Sequence, residues 1–459
     1  MFNDKINNIH FIGIGGIGMS GMAELLFRDG YSISGTDLTE NDRTEHLRKI
    51  GINISIGHSE KNIENSNLVV YSSAVKDDNV EIIAAKKVNI PVIKRAEMLS
   101  EIVSIKKTSI GIAGTHGKTT TCSMVGNILH HSKKDPTMII GGIVKNFETN
   151  NVSGDGDIIV VEADEYDKSF LSLKPTIAVI NNIEEEHLDC YSNISELKKS
   201  FEIFINNIPF YGFVLINADD SNIESIIPNI KRPMIKFSLN GKGDYNAENI
   251  SFNKNRTSFD LFYHGEKISF IELSVPGYHN VYNALSSIAI CKELNIPIQT
   301  IAKSFLQFKG VRRRFDIKYN KSDKIYIDDY AHHPTEVEVT IEAAKKGWPD
   351  KRIISIFQPH LFSRTKIFFK EFARALENSD KIILLDIYGA RENKIKGVTS
   401  ELIFRELKNH CYDSKILTTK NSIKESLKKI YTGNELIITM GAGNLHTESD
   451  NIISVIENE

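Results

Sequence analysis

The sequence predicts an α/β protein made of three consecutive domains. Short apolar, β-branched runs alternate with longer amphipathic stretches along nearly the whole chain, a pattern typical of parallel βαβ units. Glycine-rich turns directly follow two of these runs, as they do where a strand leads into a nucleotide-binding loop. The length of 459 residues exceeds what one hydrophobic core usually supports and fits about three domains.

Two polar linkers predict the domain boundaries. The first is the KKT stretch near 105–108, and the second is the basic KGVRRR stretch at 309–314. We therefore expect a Rossmann-like domain over residues 1–106, a central P-loop ATPase-like domain over 107–309 and a C-terminal Rossmann-like domain over 310–459.

Several of the predicted strands are apolar on both faces, as strands buried between two helix layers are. The candidate strands are 9–14, 68–71, 109–113, 157–162, 177–180, 213–216, 325–327, 353–357, 381–385 and 436–440. Hairpin signals around 253–255 and at Gly265 predict a small antiparallel patch beside the parallel sheet of the central domain.

Composition excludes several classes of protein. A formal net charge of -3 with interspersed signs lacks the basic footprint of nucleic-acid binding. The four cysteines lie far apart without a C-x-x-C pair, so neither a disulfide scaffold nor a zinc site is expected. No apolar run approaches the roughly twenty residues that cross a bilayer. We expect a cytoplasmic protein with small-molecule ligands and no membrane insertion, and the oligomeric state stays open.

The first glycine-rich turn lies in IHFIGIGGIGMSGMAELL, residues 9–26. Gly13, Gly15 and Gly18 satisfy G-x-G-x-x-G, and Asp37 closes a second apolar stretch about twenty residues further on, where a carboxylate can bind a ribose hydroxyl. The motif requires a tight turn and a helix N-terminus that attracts an anion. These residues predict a diphosphate site, and they leave open whether the diphosphate belongs to a nicotinamide or flavin cofactor or to another nucleotide.

The second glycine-rich turn, in SIGIAGTHGKTTTCSMV at 109–125, predicts a nucleoside triphosphate site. Its backbone amides can surround phosphates, Lys118 can reach the β and γ phosphates, and Thr119 can ligate magnesium. Ile112 stands where the strict P-loop pattern has its first glycine. We therefore predict a variant loop built from the glycines at 111, 114 and 117.

Acidic residues follow the next two predicted strands. DIIVVEADEYD carries Glu162, Asp164 and Glu165, and IAVINNIEEEHLD carries His187 after three glutamates. Carboxylates at the phosphate-loop edge of a parallel sheet are suited to hold magnesium. Much of the second acidic run is equally typical of a solvated first helical turn.

Three strands of the last third also end in polar clusters. These clusters are DDYAHHPTE at 328–336, FQPHLFSRT at 357–365 and GAGNLH at 441–446. Since binding groups collect at the carboxyl ends of parallel strands, they predict one cleft. His332, His333, His360 and Arg364 make that cleft cationic or proton-accepting, and without a thiolate or a third spaced histidine zinc is not expected there.

Taken in order, these motifs closely resemble those of the Mur ligases of bacterial cell-wall synthesis. The resemblance covers essentially the whole chain. It is carried by GIGGIGMSG at 13–21, GTHGKTT at 114–120, EADE at 162–165, the NNI…HLD segment, PGYHNVYNALSSIA at 276–289, GVRRRF at 310–315, DDYAHHPTE at 328–336 and FQPH at 357–360.

The resemblance implies an ATP- and Mg²⁺-dependent ligase that joins L-alanine to the lactyl carboxylate of UDP-N-acetylmuramate. It implies a catalytic role for Lys118, Glu162, His187 and Arg314, with Arg314 approaching the γ phosphate when the third domain closes. The implied metal ligands are Thr119, Glu162 and His187. The implied ATP-binding residues are Gly114, Thr115, His116, Gly117, Lys118, Thr119, Thr120, His279, Asn283, Arg314 and Asp329, with His279 and Asn283 near the adenine and Asp329 at the ribose.

For the two other substrates the resemblance implies separate sites. Those for UDP-N-acetylmuramate are Gly13, Gly15, Gly16, Gly18, Met19 and Asp37, and those for alanine are His332, His360 and Arg364. The first domain would thus be a UDP-binding domain. Leu361 and Tyr166 depart from the family pattern, in which a basic residue follows FQPH and a serine follows EADE.

Three alternative functions remain at the level of sequence. A ligase that recycles whole peptides onto UDP-N-acetylmuramate shares the triphosphate core, although its first glycine loop usually differs. A nicotinamide dehydrogenase explains only the first loop. A regulatory module would bind nucleotide without turnover.

Overall fold

A computed structural model of the chain describes residues 6–72, 74–186, 190–390, 392–407 and 415–458. The α/β prediction is confirmed, because helices alternate with strands that form three sheets in this part of the chain. The chain divides into two compact units. Met1–Asn246, Phe262–Lys267 and Tyr282–Ser304 form the first unit, and Ala247–Leu261, Ile268–Val281 and Phe305–Glu459 form the second.

The N-terminal sheet is parallel and has the strand order β3-β2-β1-β4-β5. This order is that of a Rossmann-like half-sheet continued on one side, as the sequence predicts. Strand β1 is central and carries the fully buried Phe11 and Ile12. The strands are β1 (Asn8–Ile12), β2 (Ser32–Asp37), β3 (Asn53–Ile56), β4 (Leu68–Tyr71) and β5 (Val92–Lys94), and the helices are α1 (Ile17–Arg28), α2 (Asp42–Lys49), α3 (Val80–Lys87) and α4 (Arg95–Ile105).

The central sheet is mixed, as predicted, with the described strands in the order β15-β14-β13-β12-β11-β10-β6-β9-β7-β8. Its strands are β6 (Thr108–Ala113), β7 (Thr137–Val144), β8 (Thr149–Val152), β9 (Ile158–Glu162), β10 (Ile177–Ile180), β11 (Phe213–Asn217), β12 (Met234–Ser238), β13 (Tyr245–Asn253), β14 (Arg256–Tyr263) and β15 (Glu266–Leu273). The accompanying helices are α5 (Lys118–His131), α6 (Ile194–Asn206), α7 (Ser221–Ile226), α8 (Tyr278–Glu293) and α9 (Ile298–Leu306). The predicted hairpins are present, because β13 and β14 turn at 254–255 and β14 and β15 turn at 264–265.

The C-terminal sheet has the order β16-β17-β21-β18-β19-β20, in which only the pair β16–β17 is antiparallel among the described residues. The strands are β16 (Asp316–Lys321), β17 (Lys324–Asp329), β18 (Arg352–Phe357), β19 (Lys381–Leu385), β20 (Lys415–Thr418) and β21 (Glu435–Met440). The helices are α10 (Pro334–Gly347), α11 (Phe362–Leu376), α12 (Glu401–Glu406), α13 (Ile423–Ile430) and α14 (Ser449–Asn458). Pro334 occupies the first position of α10, where its fixed φ favours helix initiation.

Helix α1 packs directly on strand β8 within the first unit. A Cβ atom at Gly21 of α1 would lie 2.1 Å from the side-chain Cγ and Oδ1 atoms of Asn151. A side chain at position 21 would have to displace the Asn151 side chain or the helix, so glycine permits this close contact. Helix α1 begins at the first glycine loop, and β8 pairs with β7, whose Gly141 reaches the acid Glu162.

One detail of the predicted triphosphate loop is wrong. Gly111 lies inside strand β6 and not in the loop. A Cβ atom at this position would lie 2.9 Å from the Pro175 side chain. The loop glycines are Gly114 and Gly117, which both have positive φ angles, of 126° and 82°. In the described residues no helix is long and apolar enough to cross a membrane.

Candidate functional site

The first glycine loop lies at the carboxyl edge of β1 and β2. Gly13 has a φ of 80°, and its N–H donates to the Thr36 carbonyl at 2.8 Å. The Gly15 N–H donates to Asp37 Oδ2 at 2.8 Å, so the acid and the loop are brought together. A Cβ on Gly15 would lie 2.6 Å from the side-chain nitrogen Nδ2 of Asn41. Glycine at this position therefore lets the Asn41 side chain lie close to the loop backbone.

Helix α1 leaves its N-terminus open toward an anion. Gly16 is its N-cap, no side chain caps the helix, and its first turn holds no acidic residue. Unpaired amides and the helix dipole favour negative charge at this point. The Met19 side chain is 1% exposed and belongs to the core, so only the backbone of that predicted residue is available to a ligand.

A buried acid lies beneath the first loop. Glu81 accepts hydrogen bonds from Thr36 Oγ1 at 2.7 Å and Asn62 Nδ2 at 2.6 Å, and His58 Nδ1 lies 3.1 Å away. Burial alone would raise the pKa of Glu81, but the nearby His10 imidazole, 3.8 Å away, and the hydrogen bonds from Asn62 and Thr36 lower it to about 2. The carboxylate stays ionised and joins the end of β2 to the segment after β3.

The second glycine loop joins β6 to α5 and presents Lys118 as the first residue of the helix. The Lys118 ammonium donates to the carbonyls of Gly114 and Thr115 at 2.7 and 3.2 Å. It also forms an ion pair with Glu165 at 2.8 Å. Gly117 precedes it in the left-handed conformation, and a Cβ there would lie 2.5 Å from Asn283 Oδ1.

The Lys118–Glu165 pair is buried, since the two side chains are 14% and 1% exposed. Burial lowers the pKa of Lys118, but the charges of Glu165 and Asp164 outweigh it and raise the pKa overall. Lys118 therefore carries its positive charge at every physiological pH, ready for an anionic ligand.

Glu162 occupies a different part of the same edge. Its Oε1 accepts the Gly141 N–H of β7 at 2.6 Å. Burial raises the pKa of Glu162, while the bonds from Gly141 and the Thr119 hydroxyl oppose that rise. A carboxylate and a hydroxyl oxygen side by side are the donor types that Mg²⁺ prefers, so these residues fit the predicted metal.

The acids of the EADE motif thus have separate partners. Glu162 lies with Thr119, whereas Glu165 holds Lys118. Sequence reasoning grouped both as candidate metal carboxylates and missed the lysine pairing. The signal in the sequence that could have separated the two acids is their position, because Glu162 is the last residue of β9 and Glu165 lies three residues beyond it. His187, the third predicted metal ligand, lies outside the described residues.

Other predicted nucleotide residues of the first unit surround the loop. His116 Nε2 lies 3.5 Å from Glu184 Oε2, and the Glu184 N–H donates to Thr115 Oγ1 at 2.9 Å. Asn283 of α8 accepts from Thr121 Oγ1 at 3.1 Å, which ties α8 to α5. Thr120, in the first turn of α5, is partly exposed. The loop, the acids and Asn283 therefore form one cluster.

In the second unit, His279 lies at the start of α8. Its Nδ1 is buried and has no hydrogen-bond partner among the described residues. Burial lowers the pKa of His279 to about 4, although Glu342 opposes the shift. The imidazole is neutral at physiological pH and lines a small pocket with Tyr278, Glu342 and Lys346.

Arg314 is carried by a strained turn. Its neighbours Arg313 and Phe315 have φ angles of 59° and 45°, which non-glycine residues rarely adopt. Asp329 Oδ2 accepts the Phe315 N–H at 2.6 Å, and Asp329 Oδ1 accepts the Ala331 N–H at 2.7 Å. Oδ2 of Asp329 thereby stabilises the turn that carries Arg314, while Oδ1 holds the backbone directly after β17.

The charge state of Asp329 follows from its surroundings. Burial raises the pKa of Asp329 to about 6, against the opposing effect of Arg314. The Arg314 guanidinium also approaches Glu336 Oε1 at 3.4 Å. Asp329 is predicted to contact a ribose, and in the structure its carboxylate accepts a hydrogen bond from the backbone N–H of Phe315, next to Arg314.

The predicted alanine-site residues come together at the ends of β17 and β18. The rings of His332 and His360 lie edge to face with centroids 5.9 Å apart. Arg364 Nη1 lies 3.4 Å from His360 Nδ1, one helical turn along. His332 Nδ1 lies 3.1 Å from Glu336. Leu361, with a φ of 70°, is the N-cap of α11 and lies between His360 and Arg364 in the sequence.

Three family models match the chain in succession. "Mur ligase family, catalytic domain" matches residues 8–107, "Mur ligase middle domain" matches 112–291 and "Mur ligase, glutamate ligase domain" matches 313–443.

Curated relatives match over nearly the full length. A UDP-N-acetylmuramate–L-alanine ligase of Sulfurihydrogenibium sp. (strain YO3AOP1) is 46% identical over 98% of each chain. That of Geotalea uraniireducens (strain Rf4) is 45% identical over 99% of each chain. A solved UDP-N-acetylmuramate–alanine ligase of Thermotoga maritima is 30% identical with a TM-score of 0.81, covering 98% of this chain and 99% of its own.

Proposed function

Because this chain belongs to the Mur ligase family, we propose that it joins L-alanine to the carboxylate of UDP-N-acetylmuramate at the expense of ATP. The product is a precursor of peptidoglycan, and ADP and phosphate are released. The near full-length identity of 46% to an alanine-adding ligase is the observation that carries the substrate assignment. The dehydrogenase alternative leaves the second loop and the C-terminal matches unexplained.

We propose that the reaction has two steps. The lactyl carboxylate attacks the γ phosphorus of ATP to give an acyl phosphate, and ADP leaves. The amine of alanine then adds to the acyl carbon, a tetrahedral intermediate forms, and phosphate leaves as the amide bond forms. This route asks the protein to neutralise phosphate charge and to hold three substrates in line.

The buried ammonium of Lys118 supports the first step. It is already charged and oriented by two loop carbonyls, so it can stabilise charge that moves between the β and γ phosphates without reorganising. We propose that the loop residues 114–120 surround the phosphates and that Asn283 and His279 lie near the adenine. Asp329 would reach the ribose, and Arg314 would contact the γ phosphate.

We propose that Thr119, Glu162 and His187 hold Mg²⁺. When bound, the ion supplies positive charge to the phosphate oxygens. Glu162 is held toward Thr119 by the Gly141 amide, so its orientation does not depend on the ligand. The Thr119 hydroxyl lies in the first turn of α5, next to Lys118.

For the other two substrates, we propose two separate sites. The diphosphate of UDP-N-acetylmuramate would bind at Asp37, on the uridine side, and at Gly13, Gly15, Gly16, Gly18 and Met19. His332, His360 and Arg364 would surround alanine, because a guanidinium suits its carboxylate and a neutral imidazole can accept the amine proton. We propose a cytoplasmic location, because the proposed reaction needs ATP and the widely spaced cysteines suit a reducing compartment.

An amino-acid panel tests this function. The protein is incubated with UDP-N-acetylmuramate, ATP and Mg²⁺, and phosphate release and product mass are measured. We expect L-alanine to give the fastest release and a product heavier by one alanyl residue. Phosphate release only with a tripeptide would assign the peptide-recycling activity, and binding without release for every acceptor would assign a regulatory role.

A further inference from the structure

A guanidinium lies over the first glycine loop without being part of it. Arg95 is the first residue of α4, directly after β5. Its Nη1 lies 2.9 Å, and its Cδ 3.6 Å, from the position that a Cβ at Gly18 would occupy. Gly18 lies in the first turn of α1. The side chain of Arg95 therefore covers the backbone where the predicted diphosphate loop becomes a helix.

The Arg95 guanidinium has no hydrogen bond or ion pair with any of the residues that the structure describes. Within the described part of the chain, its five N–H groups therefore find no acceptor. The second guanidinium near this loop differs, because Arg43 Nη1 donates to the Gly15 carbonyl at 3.3 Å. Of these two cations, Arg95 is the one whose charge and hydrogen bonds are available to a ligand.

Two independent features thus favour an anion at the same point. The N-terminus of α1 lacks a side-chain cap and an acid in its first turn, and a guanidinium covers that turn. A planar guanidinium can donate two parallel hydrogen bonds to phosphate oxygens. The order of the strands explains why Arg95 reaches the first glycine loop. Strand β5 lies two strands from β1, and the carboxyl ends of both strands lie at the same edge of the sheet.

We propose that Arg95 binds the diphosphate of the nucleotide sugar directly and provides the side-chain positive charge of a site otherwise made of backbone amides. This inference rests on the proposed function and adds a residue to it. Glycine at position 18 then leaves room for the Arg95 guanidinium as well as for the ligand. Arg95 should distinguish UDP from uridine, because only UDP carries the charge that it contacts.

Binding of UDP and of uridine to the full-length protein, measured by calorimetry, tests the role. Arg95→Met keeps the aliphatic stem over Gly18 and removes the charge. We expect it to weaken UDP binding about tenfold or more, as the loss of a charged hydrogen bond does, and to change uridine binding less than about twofold. Lys94→Ala is the matched control, since it removes one positive charge from the adjacent exposed position.

The inference is overturned if Arg95→Met binds UDP within about twofold of the unaltered protein, or if UDP and uridine affinities fall in the same proportion. It is also overturned if Lys94→Ala has the same effect. Should Arg95→Met show no cooperative melting transition, Arg95→Gln is judged by the same criteria. Failure of the unaltered protein to bind UDP would count against the proposed function itself, which separates the two questions.

Discussion

The two glycine loops of the first unit share a strand-loop-helix plan and differ in their charges. The first loop contains no charged residue, and its Gly15 amide is held by Asp37. The second loop ends in Lys118, whose ammonium is held by Glu165. Beneath the first loop the buried acid Glu81 has hydroxyl, amide and imidazole partners, not an ammonium group.

Under the proposed function, this difference would suit one backbone plan to two ligands. A diphosphate that stays intact needs a rigid site, which backbone amides and the proposed Arg95 contact would supply. A triphosphate that reacts needs charge that stabilises the moving phosphoryl group, and a lysine in the loop supplies it. The loop with the built-in cation is therefore expected to affect turnover, and the other loop to affect affinity.

The largest effect is expected for Lys118→Ala. Loss of a preorganised charge at the γ phosphate should lower kcat roughly a hundredfold or more, with UDP affinity unchanged. Phosphate release and calorimetry with UDP measure the two quantities. Lys199→Ala, which removes an exposed lysine of α6, serves as the control. An unaltered kcat in Lys118→Ala would remove this residue from the mechanism.

The converse result is expected for Gly15→Ala. Its new Cβ would lie 2.6 Å from Asn41 Nδ2 and 2.8 Å from Asp37 Oδ2, so the loop and the acid must separate. We expect UDP affinity to fall about tenfold, in line with a loss of about 1.4 kcal/mol, and the KM for ATP to stay the same. A rise in the KM for ATP of equal size would contradict the division of labour between the loops.

A smaller effect, confined to alkaline pH, is expected for Glu165→Gln. Burial lowers the pKa of Lys118, and without the Glu165 carboxylate only Asp164 and Glu186 oppose it, so the pKa falls relative to that in the unaltered protein. The protonated fraction is then lost as pH rises, so kcat/KM for ATP should decline at a lower pH than in the unaltered protein. A pH profile between about 7 and 10, which brackets the ordinary lysine value, measures this. Superimposable profiles would show that Glu165 does not control the charge of Lys118.

The smallest effect concerns the stability contributed by Glu81. Its pKa is about 2 in the folded protein and 4.5 ordinarily, so the unfolded chain binds a proton first as the pH falls. The stabilisation is complete above pH 4.5 and is lost as the pH falls toward 2. The difference in melting temperature between the unaltered protein and Glu81→Gln should shrink over this range. A constant difference would mean that the ionised form is not the stabilising one.

Sequence reasoning predicted the local parts of this molecule well. Both glycine loops, the hairpins at 254–255 and 264–265, and the strand ends bearing Glu162 or His332 follow from the residues next to them. The roles assigned to the site residues and the boundaries at 106 and 309 stay predictions. The pairings of Glu165 with Lys118 and of Arg95 with Gly18 join distant segments, and no spacing rule encodes such contacts.

The Gly21 contact in α1 has a consequence for how relatives of this chain can vary. The helix that begins at the first loop and the strand pair that reaches Glu162 are pressed together where Asn151 occupies the space of a missing Cβ. A larger residue at 21 requires the side chain at 151 to turn away or to be smaller, or a shift of the helix that carries the loop. Positions 21 and 151 should therefore covary among homologues, and the pair marks which sequences keep this spacing between loop and acid.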